Sequence, residues 1–181
     1  PPSLGGAERS GAPKQVFVQL GMIGLGRMGA NMATRLLRGG DSGDKHSVVV
    51  YDRSAEAIAA SVGEGASGAR DLADLVGKLA APRTVWIMVP AGAATESTID
   101  DLLRLLTPGD VIIDGGNSNF RDSQARAKKC GSHDIDFVDA GTSGGVWGLA
   151  NGYCLMVGGD EAAVKRVEPI FHTLAPTDGY A

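Results

Sequence analysis

The sequence predicts a doubly wound α/β fold, with a mainly parallel sheet that carries helices on both faces. From Val16 onwards, short runs of β-branched residues alternate with longer amphipathic stretches, the order expected of repeated strand and helix units. The runs are apolar throughout, as strands are when both faces of a parallel sheet are covered. The 27 glycines of the chain cluster where these strands should end. Ligands collect beyond the carboxyl ends of such strands, so function is expected in the loops that follow them.

Each expected element follows from its own stretch of sequence. A strand at 16–23 precedes a helix at 28–37, and a strand at 47–51 precedes a helix that starts near Ser54 and another at 71–79, which Pro82 ends. Strands at 84–89, 111–114 and 135–138 are separated by helices at 95–106 and 121–129. A glycine-rich loop, a strand at 154–157 and a helix at 160–171 complete the series. Trp86 lies within a strand and is expected in the core.

Length and composition limit the class of protein. With 181 residues, 43% of them hydrophobic, the chain is expected to form one domain over residues 16–181, after a disordered lead or expression remnant at residues 1–15. The formal net charge of -4 gives no general attraction to nucleic acid or to a membrane, so a phosphate must bind at a local site. No signal segment or membrane-spanning run occurs, which predicts a cytoplasmic protein. Cys130 and Cys154 lack metal-ligand spacing and are expected to be free thiols, and no metal is expected.

The first strand and the first helix are joined by a GxGxxG sequence, Gly24-Leu25-Gly26-Arg27-Met28-Gly29. Gly24 is expected to make a tight turn, Gly26 to let a pyrophosphate approach the main chain, and Gly29 to let helix and strand pack closely. Unpaired amides and the positive end of the helix dipole would face the phosphates. The loop therefore predicts a Rossmann-type domain that binds a dinucleotide.

An aspartate, Asp52, follows the second strand at the place where the adenosine ribose should lie. It would accept hydrogen bonds from the ribose hydroxyls and repel a 2′-phosphate, which favours NAD over NADP. Two alternatives stay open: Asp52 caps the following helix, or Arg53 contacts a phosphate or stacks on adenine. The polar segment from Asp41 to Lys45 resembles an insertion on the opposite edge of the sheet, and its deletion is expected to leave cofactor affinity intact.

Three later loops also follow strands: Val89-Pro90-Ala91-Gly92, the DGGNS sequence at 114–118, and the glycine-rich segment at 141–148. They should line the nicotinamide half of the crevice. The amide of Asn117 and the hydroxyl of Ser143 lie beside glycines whose backbone a ligand can approach closely. Such groups suit a polyhydroxylated, anionic substrate.

Together with the glycine loop, these segments resemble the β-hydroxyacid dehydrogenase superfamily. DGGNS, SGG and GYCLMVGG resemble the NAD-type branch of the 6-phosphogluconate dehydrogenase family. The resemblance implies that Val89, with Pro90 and Ala91, lies near the nicotinamide ring and that Asn117 contacts cofactor and substrate. It also implies that Ser143, Gly144 and Gly145 hold the sugar acid. NADP-type members have Asn-Arg-Thr where this chain has Asp52-Arg53-Ser54, and a lysine at the position of Pro90, so both departures favour NAD.

The resemblance further implies oxidation of 6-phosphogluconate at C3, with hydride transfer to the nicotinamide and loss of CO2 to give ribulose 5-phosphate. In the family, the lysine base and the glutamate acid lie in later helices, beyond Ala181, so no catalytic residue is assigned and the C-terminal helical domain is expected to be absent. Lys165, in an ordinary amphipathic helix, is not a substitute. The isolated chain is expected to be inactive, and full-length members of the family are expected to be homo-oligomers.

Three other functions were weighed. A 3-hydroxyisobutyrate dehydrogenase relative shares the glycine loop but tends to lack the Gly-Asn-Ser of DGGNS. A hydrolase with Ser143 in a GxSxG sequence would need Asp160 and His172, which bracket a single short helix. A nucleotide-sensing module without chemistry would not need Asn117 and Ser143. Among the remaining candidates, Trp147 is expected to wall the substrate pocket or to pack against the absent domain, and the histidines, expected to be solvated, are His46, His133 and His172.

Overall fold

The computed structural model describes residues 17–176, so the expected lead at residues 1–15 lies outside the described part. The seven strands are β1 (Gln19–Ile23), β2 (Ser47–Tyr51), β3 (Ser67–Gly68), β4 (Thr84–Ile87), β5 (Val111–Asp114), β6 (Asp136–Ser143) and β7 (Cys154–Gly159). The helices are α1 (Arg27–Arg38), α2 (Ala55–Gly63), α3 (Leu72–Gly77), α4 (Ala93–Leu103), α5 (Phe120–Gly131), α6 (Gly148–Asn151) and α7 (Glu161–Leu174).

All seven strands belong to one sheet, in the order β3-β2-β1-β4-β5-β6-β7. Neighbouring strands run parallel from β3 to β6, and β7 alone is antiparallel to its neighbour β6. The strand order reverses between β1 and β4, and a crevice opens beyond the carboxyl ends of the strands at such a point. The doubly wound, Rossmann-type fold expected from the sequence is confirmed.

Two hydrophobic clusters, one on each face of the sheet, form the core. On one face α1 and α7 cover the sheet, and Trp86 is fully buried there with its ring edge-on to Phe171, 5.8 Å between centroids. On the other face α3, α4 and α5 supply residues such as Leu75, Ile99 and Cys130. The expected core position of Trp86 is confirmed. Cys130 is buried, which raises the pKa of its thiol to about 11, and Cys154 is exposed; both are free cysteines.

The structure differs from the sequence expectation mainly around β6. This strand continues to Ser143, so the first part of the expected glycine-rich loop is strand, paired with β7 as far as Cys154. Strand β3 and helix α6 were not expected, because elements of 2 and 4 residues are too short to show a periodicity. Pro169 lies inside α7, which continues to Leu174.

The segment from Asp41 to Lys45 lies before β2, on the edge of the sheet opposite the crevice, as expected. It is not a detached surface loop, since Asp41 pairs with the buried guanidinium of Arg35 at 3.1 Å. Arg35 in turn donates to the carbonyl oxygens of Thr173, Leu174 and Ala175 at the end of α7. The expectation that deletion of the segment from Asp41 to Lys45 leaves cofactor affinity intact stays a prediction.

The expectation that His46 is solvated was wrong. The ring is buried, its Nδ1 accepts from the amide of Val18 at 3.2 Å, and its Nε2 lies 2.8 Å from the hydroxyl of Thr173. Burial lowers the pKa of His46, although the backbone at Pro169 and the charge of Asp44 oppose that shift. The neutral imidazole therefore joins β2 to the end of α7, a contact between residues far apart in the sequence.

Candidate functional site

A cleft of about 660 Å³ opens at the carboxyl ends of β1, β2 and β4, where the strand order reverses. Both halves of the expected cofactor site contribute to it. Of the residues expected to hold a cofactor, those that line the cleft are Gly24, Gly26, Arg27, Met28, Gly29, Asp52, Arg53, Val89, Pro90 and Asn117. Leu25 and Ala91 do not line it. Leu25 is instead buried in the core.

The three glycines of the first loop differ in what surrounds them. Gly24 has a φ of +94°, and a Cβ there would lie 2.5 Å from the carbonyl oxygen of Met88. A Cβ on Gly29 would lie 2.0 Å from the carbonyl oxygen of Gly24, so α1 approaches the loop too closely for any side chain. A Cβ on Gly26 would meet nothing within 4 Å. Gly24 and Gly29 are thus required by the fold, whereas the bare backbone of Gly26 faces open space at the start of α1.

Gly26 is also the N-cap of α1, and no side chain caps the helix there. The first turn of a helix leaves amide groups without acceptors inside the helix, and it carries the positive end of the helix dipole. These amides open into the cleft beside Arg27 and Met28. The start of α1 can therefore accept an anionic group.

Asp52 has two backbone partners. One carboxylate oxygen accepts from the amide of Leu25 at 2.7 Å and the other from the amide of Ser54 at 2.8 Å. The N-cap of α2 is Ser54, whose hydroxyl accepts from Ala57, so the alternative that Asp52 caps this helix was wrong. The Leu25 amide therefore already has an acceptor, although the loop was expected to present unpaired amides to the phosphates. Asp52 still lines the cleft, and each of its oxygens keeps a lone pair for a further donor.

Arg27 and Arg53 give the cleft a positive rim beside Asp52. Both side chains are exposed and line the cleft, and neither forms an ion pair with any residue in the range 17–176. Among residues 17–176, the carboxylates that line the cleft are Asp52, beside these two arginines, and Asp101, on α4.

Asn117 joins the cleft to the following strand. Its side-chain amide donates to the carbonyl oxygen of Thr142 at 3.1 Å and accepts from the Thr142 amide at 2.9 Å. Backbone pairing of β5 with β6 ends at Asp114 and Asp139, so the Asn117 carboxamide extends this ladder beyond the end of β5. Its own backbone has a φ of +54°, a left-handed conformation that Asn tolerates better than most residues.

Of the four expected substrate residues, Asn117 lines the cleft, and the other three, Ser143, Gly144 and Gly145, do not. Ser143 and Gly144 line a second cavity of about 750 Å³, together with residues of β7 and α7. Gly145 lines neither cavity. The ring of the fully buried Tyr153 lies under this loop, since a Cβ on Gly144 would be 2.7 Å from it. Hydrogen bonds between Asn117 and Thr142 connect the two groups.

A buried ionic network under the DGGNS loop was missed in the sequence. Arg126, 1% exposed, donates to Glu96 at 2.6 Å and to the fully buried Asp114 at 2.9 Å. Burial alone would lower the pKa of Arg126, but the hydrogen bond that it donates to Glu96 and the charges of Asp114 and Glu96 outweigh burial, so the pKa is raised. The spacing of Asp114 and Arg126 gives no motif. A single basic residue on the apolar face of an expected helix was the one available signal.

Several other sequence candidates lie away from both cavities. Lys165 is exposed and pairs with Glu161 one turn earlier on α7. The expectation that Lys165 does not replace the catalytic lysine of the family stays a prediction. Asp160 caps the same helix and His172 lies beside Glu168, so the hydrolase alternative finds no acid and base directed at Ser143. His133 and His172 are exposed.

Trp147 is 71% exposed, next to Val146 at 54%, and its two expected roles stay predictions. Within residues 17–176, no group of three or more His, Cys, Asp or Glu side chains is placed to hold a metal ion. The same residues include no helix that is both long and apolar enough to span a membrane.

A switch point beside a helix that begins on a bare glycine, with an acidic residue after the second strand, defines the class of dinucleotide-binding Rossmann domains. The particular family follows from comparison with known proteins. Residues 19–179 match the family model described as the NAD binding domain of 6-phosphogluconate dehydrogenase. The chain belongs to this family, whose named members are oxidoreductases.

Individual relatives agree with this assignment. The chain is 46% identical, over 158 residues, to an NAD(+)-dependent, decarboxylating 6-phosphogluconate dehydrogenase of Haloferax volcanii, covering 87% of this chain and 50% of the relative. It is 41% identical to a decarboxylating 6-phosphogluconate dehydrogenase of Synechococcus elongatus, covering 87% and 33%. The chain thus spans a third to a half of the length of these relatives.

Solved structures include two enzymes of the superfamily. The Plasmodium falciparum 6-phosphogluconate dehydrogenase, solved in apo form and with NADP+ or 6-phosphogluconate, superimposes with a TM-score of 0.79 at 30% identity, covering 87% of this chain and 34% of that one. The Mycobacterium tuberculosis 3-hydroxyisobutyrate dehydrogenase, solved with L-serine, has a TM-score of 0.79 at 28% identity, covering 88% and 53%.

Proposed function

We propose that this chain supplies the NAD-binding half, and part of the substrate site, of an enzyme that oxidises and decarboxylates 6-phosphogluconate to ribulose 5-phosphate. The strongest support is the open space over Gly26 at the start of α1, combined with DGGNS and SGG loops joined through Asn117. The similarity to the Haloferax volcanii enzyme, at 46% identity, supports the choice of substrate and cofactor.

The residues of the cleft fit a dinucleotide. Gly26 leaves room where any larger residue would place a Cβ, and the first-turn amides of α1 can donate to a pyrophosphate. Val89 and Pro90 would line the nicotinamide end of the same cleft, and Asp52 the ribose end. When bound there, the nicotinamide would supply the acceptor for the hydride removed from the substrate.

NAD is favoured over NADP because of charge. The Asp52 carboxylate can accept from the 2′ and 3′ hydroxyls of a ribose while keeping its two backbone bonds, but it would repel a 2′-phosphate. Arg27 and Arg53 moderate this preference, since their guanidinium groups on the cleft wall would attract the same phosphate.

On the substrate side, Asn117 would orient the sugar acid and keep the Ser143 loop beside the cofactor. Ser143 would offer a hydroxyl, and Gly144 and Gly145 would offer backbone that a hydroxylated ligand can approach closely. Oxidation of the C3 hydroxyl gives a β-keto acid, which loses CO2 readily because the carbonyl accepts the electrons of the broken bond. In the family a lysine and a glutamate move the protons, and neither residue type lines the two cavities formed by residues 17–176, so these residues by themselves would bind without turnover.

Fluorescence titration tests the proposal with one preparation of the chain. NADH and NADPH are titrated separately, with and without 6-phosphogluconate, and 3-hydroxyisobutyrate serves as the competing ligand. We expect NADH to bind more tightly than NADPH. We also expect 6-phosphogluconate, but not 3-hydroxyisobutyrate, to change the NADH titration. A response only to 3-hydroxyisobutyrate would transfer the function to the relatives represented by the Mycobacterium tuberculosis enzyme. NADH binding without a response to either acid would favour a nucleotide-sensing module, and no binding of either nucleotide would refute the proposal.

A further inference from the structure

We propose that Arg126 is a positioning residue, which fixes the DGGNS loop so that Asn117 holds the Ser143 loop at a set distance from the cofactor cleft. The identity of the ligands that the two loops bind rests on the proposed function, but the positioning of the loops by Arg126 does not. Arg126 touches neither cavity and acts only through Asp114 and its neighbours.

The first step is the fixing of Asp114. This carboxylate is fully buried at the end of β5, and a buried charge is strongly unfavourable unless it is paired and hydrogen-bonded. Arg126 provides the paired cation, 2.9 Å away, from the middle of α5. Glu96 on α4 accepts from the Nε of Arg126 at 2.6 Å, so the guanidinium is held from two sides. Contacts on two sides therefore restrict the orientation of the guanidinium.

The second step is the shaping of the loop by Asp114. One carboxylate oxygen accepts from the amide of Gly116 at 2.9 Å, and the other accepts from the hydroxyl of Ser118 at 2.9 Å. Arg126 also donates to the Ser118 hydroxyl. The residues on both sides of Asn117 are thus bonded to the same carboxylate, which keeps Asn117 in its left-handed conformation at φ +54°.

The third step carries this constraint to the substrate loop. The Asn117 carboxamide makes two hydrogen bonds with the backbone of Thr142, the residue before Ser143. Rotation or displacement of the DGGNS loop would break both bonds, because side-chain amides hold their partners only over a narrow range of distance and angle. Without Arg126, Asp114 would be a buried, unpaired charge and would have to move toward water.

A second buried pair in the chain provides a matched control. Arg83 pairs with Asp110 at 3.1 Å, and Asp110 is likewise almost fully buried. This pair precedes β4 and β5, on the edge of the sheet opposite the cleft. Replacing Arg83 would also strand a buried carboxylate, but no hydrogen bond connects it to Asn117 or Thr142.

The test is amide hydrogen exchange at Thr142, followed by NMR in the wild-type chain, Arg126→Met and Arg83→Met, together with an NADH titration. Exchange rates are compared at denaturant concentrations that give equal global stability. We expect Arg126→Met to raise Thr142 exchange by about tenfold, the effect of losing one charged hydrogen bond, with no comparable rise in Arg83→Met. Equal Thr142 exchange in the two variants would overturn the proposal.

Two lysine variants cover the case in which a methionine variant does not fold. Arg126→Lys keeps the charge but cannot bridge Asp114 and Glu96 as the guanidinium does, so Thr142 exchange should still rise above that of Arg83→Lys. The same exchange in both lysine variants would again overturn the proposal. The NADH titration separates this inference from the proposed function. Faster Thr142 exchange in Arg126→Met, in a chain whose wild type does not bind NADH, would support the positioning role and refute the cofactor.

Discussion

Replacing Asp52 with Asn should change the preference between the two nicotinamide dinucleotides. Asp52 is half-buried, and its two oxygens accept from the amides of Leu25 and Ser54 at 2.7 and 2.8 Å. The Asn oxygen can keep one of these bonds, but the Asn amide group would face the other donor. Loss of one charged hydrogen bond should lower the free energy of unfolding by about 1.5 kcal/mol.

The effect on binding is larger for NADH than for NADPH. Loss of a charge-assisted bond to the ribose should weaken NADH by about tenfold, since 1.4 kcal/mol corresponds to a factor of ten. NADPH loses no such bond and is relieved of repulsion, with Arg27 and Arg53 still on the cleft wall. The ratio of the two dissociation constants should therefore shift toward NADPH by about tenfold or more.

Fluorescence titration of NADH and NADPH, with urea unfolding on the same samples, measures both effects. Asp160→Asn is the matched control, because Asp160 also accepts from two backbone amides, at the start of α7, and Asn is nearly as good a cap. It should change neither affinity. A ratio of NADH to NADPH affinity that stays the same in Asp52→Asn would refute the assignment of Asp52 to the ribose.

Three further outcomes follow from the structure. Gly26→Ala should keep the urea midpoint, since the added Cβ meets nothing within 4 Å, but should lose NADH affinity, since that Cβ would enter the space proposed for the pyrophosphate. Gly29→Ala should fail to fold, because its Cβ would lie 2.0 Å from a carbonyl oxygen. Equal behaviour of the two variants would contradict the different roles assigned to these glycines. Burial lowers the pKa of His46, so the contribution of the neutral ring to the free energy of unfolding is complete above about pH 6.5 and is lost as the pH falls through the lowered pKa. His46→Gln should therefore flatten the pH dependence of the urea midpoint, and an unchanged pH dependence would count against this explanation. Arg35→Met should lower the free energy of unfolding by about 3 kcal/mol, because the carbonyl oxygens at the end of α7 lose their donor and Asp41 loses its ion pair. NADH affinity should not change. An unchanged urea midpoint would argue against the role of Arg35 in capping the end of α7.

Local features of the chain were sufficient to predict most of the fold. Parallel strands buried on both faces give apolar runs, and β2 and β5 were predicted with their observed bounds. The glycine loop was equally readable, because tight turn, phosphate approach and helix packing each need a glycine at a fixed spacing. The short elements β3 and α6 could not be predicted, since their conformation depends on neighbours rather than on a periodic pattern.

The sequence alone determined the class of fold, the position of the cleft and the chemical types of the groups around it, because these depend on residues close together in the chain. Contacts between distant residues were decided only by the tertiary structure. His46 is buried against Thr173, Asp52 is bonded to Leu25, and Arg126 holds Asp114 beneath the loop that carries Asn117. Burial and pairing of such polar groups depend on which helices and strands meet across the sheet, and no spacing along the chain encodes that meeting.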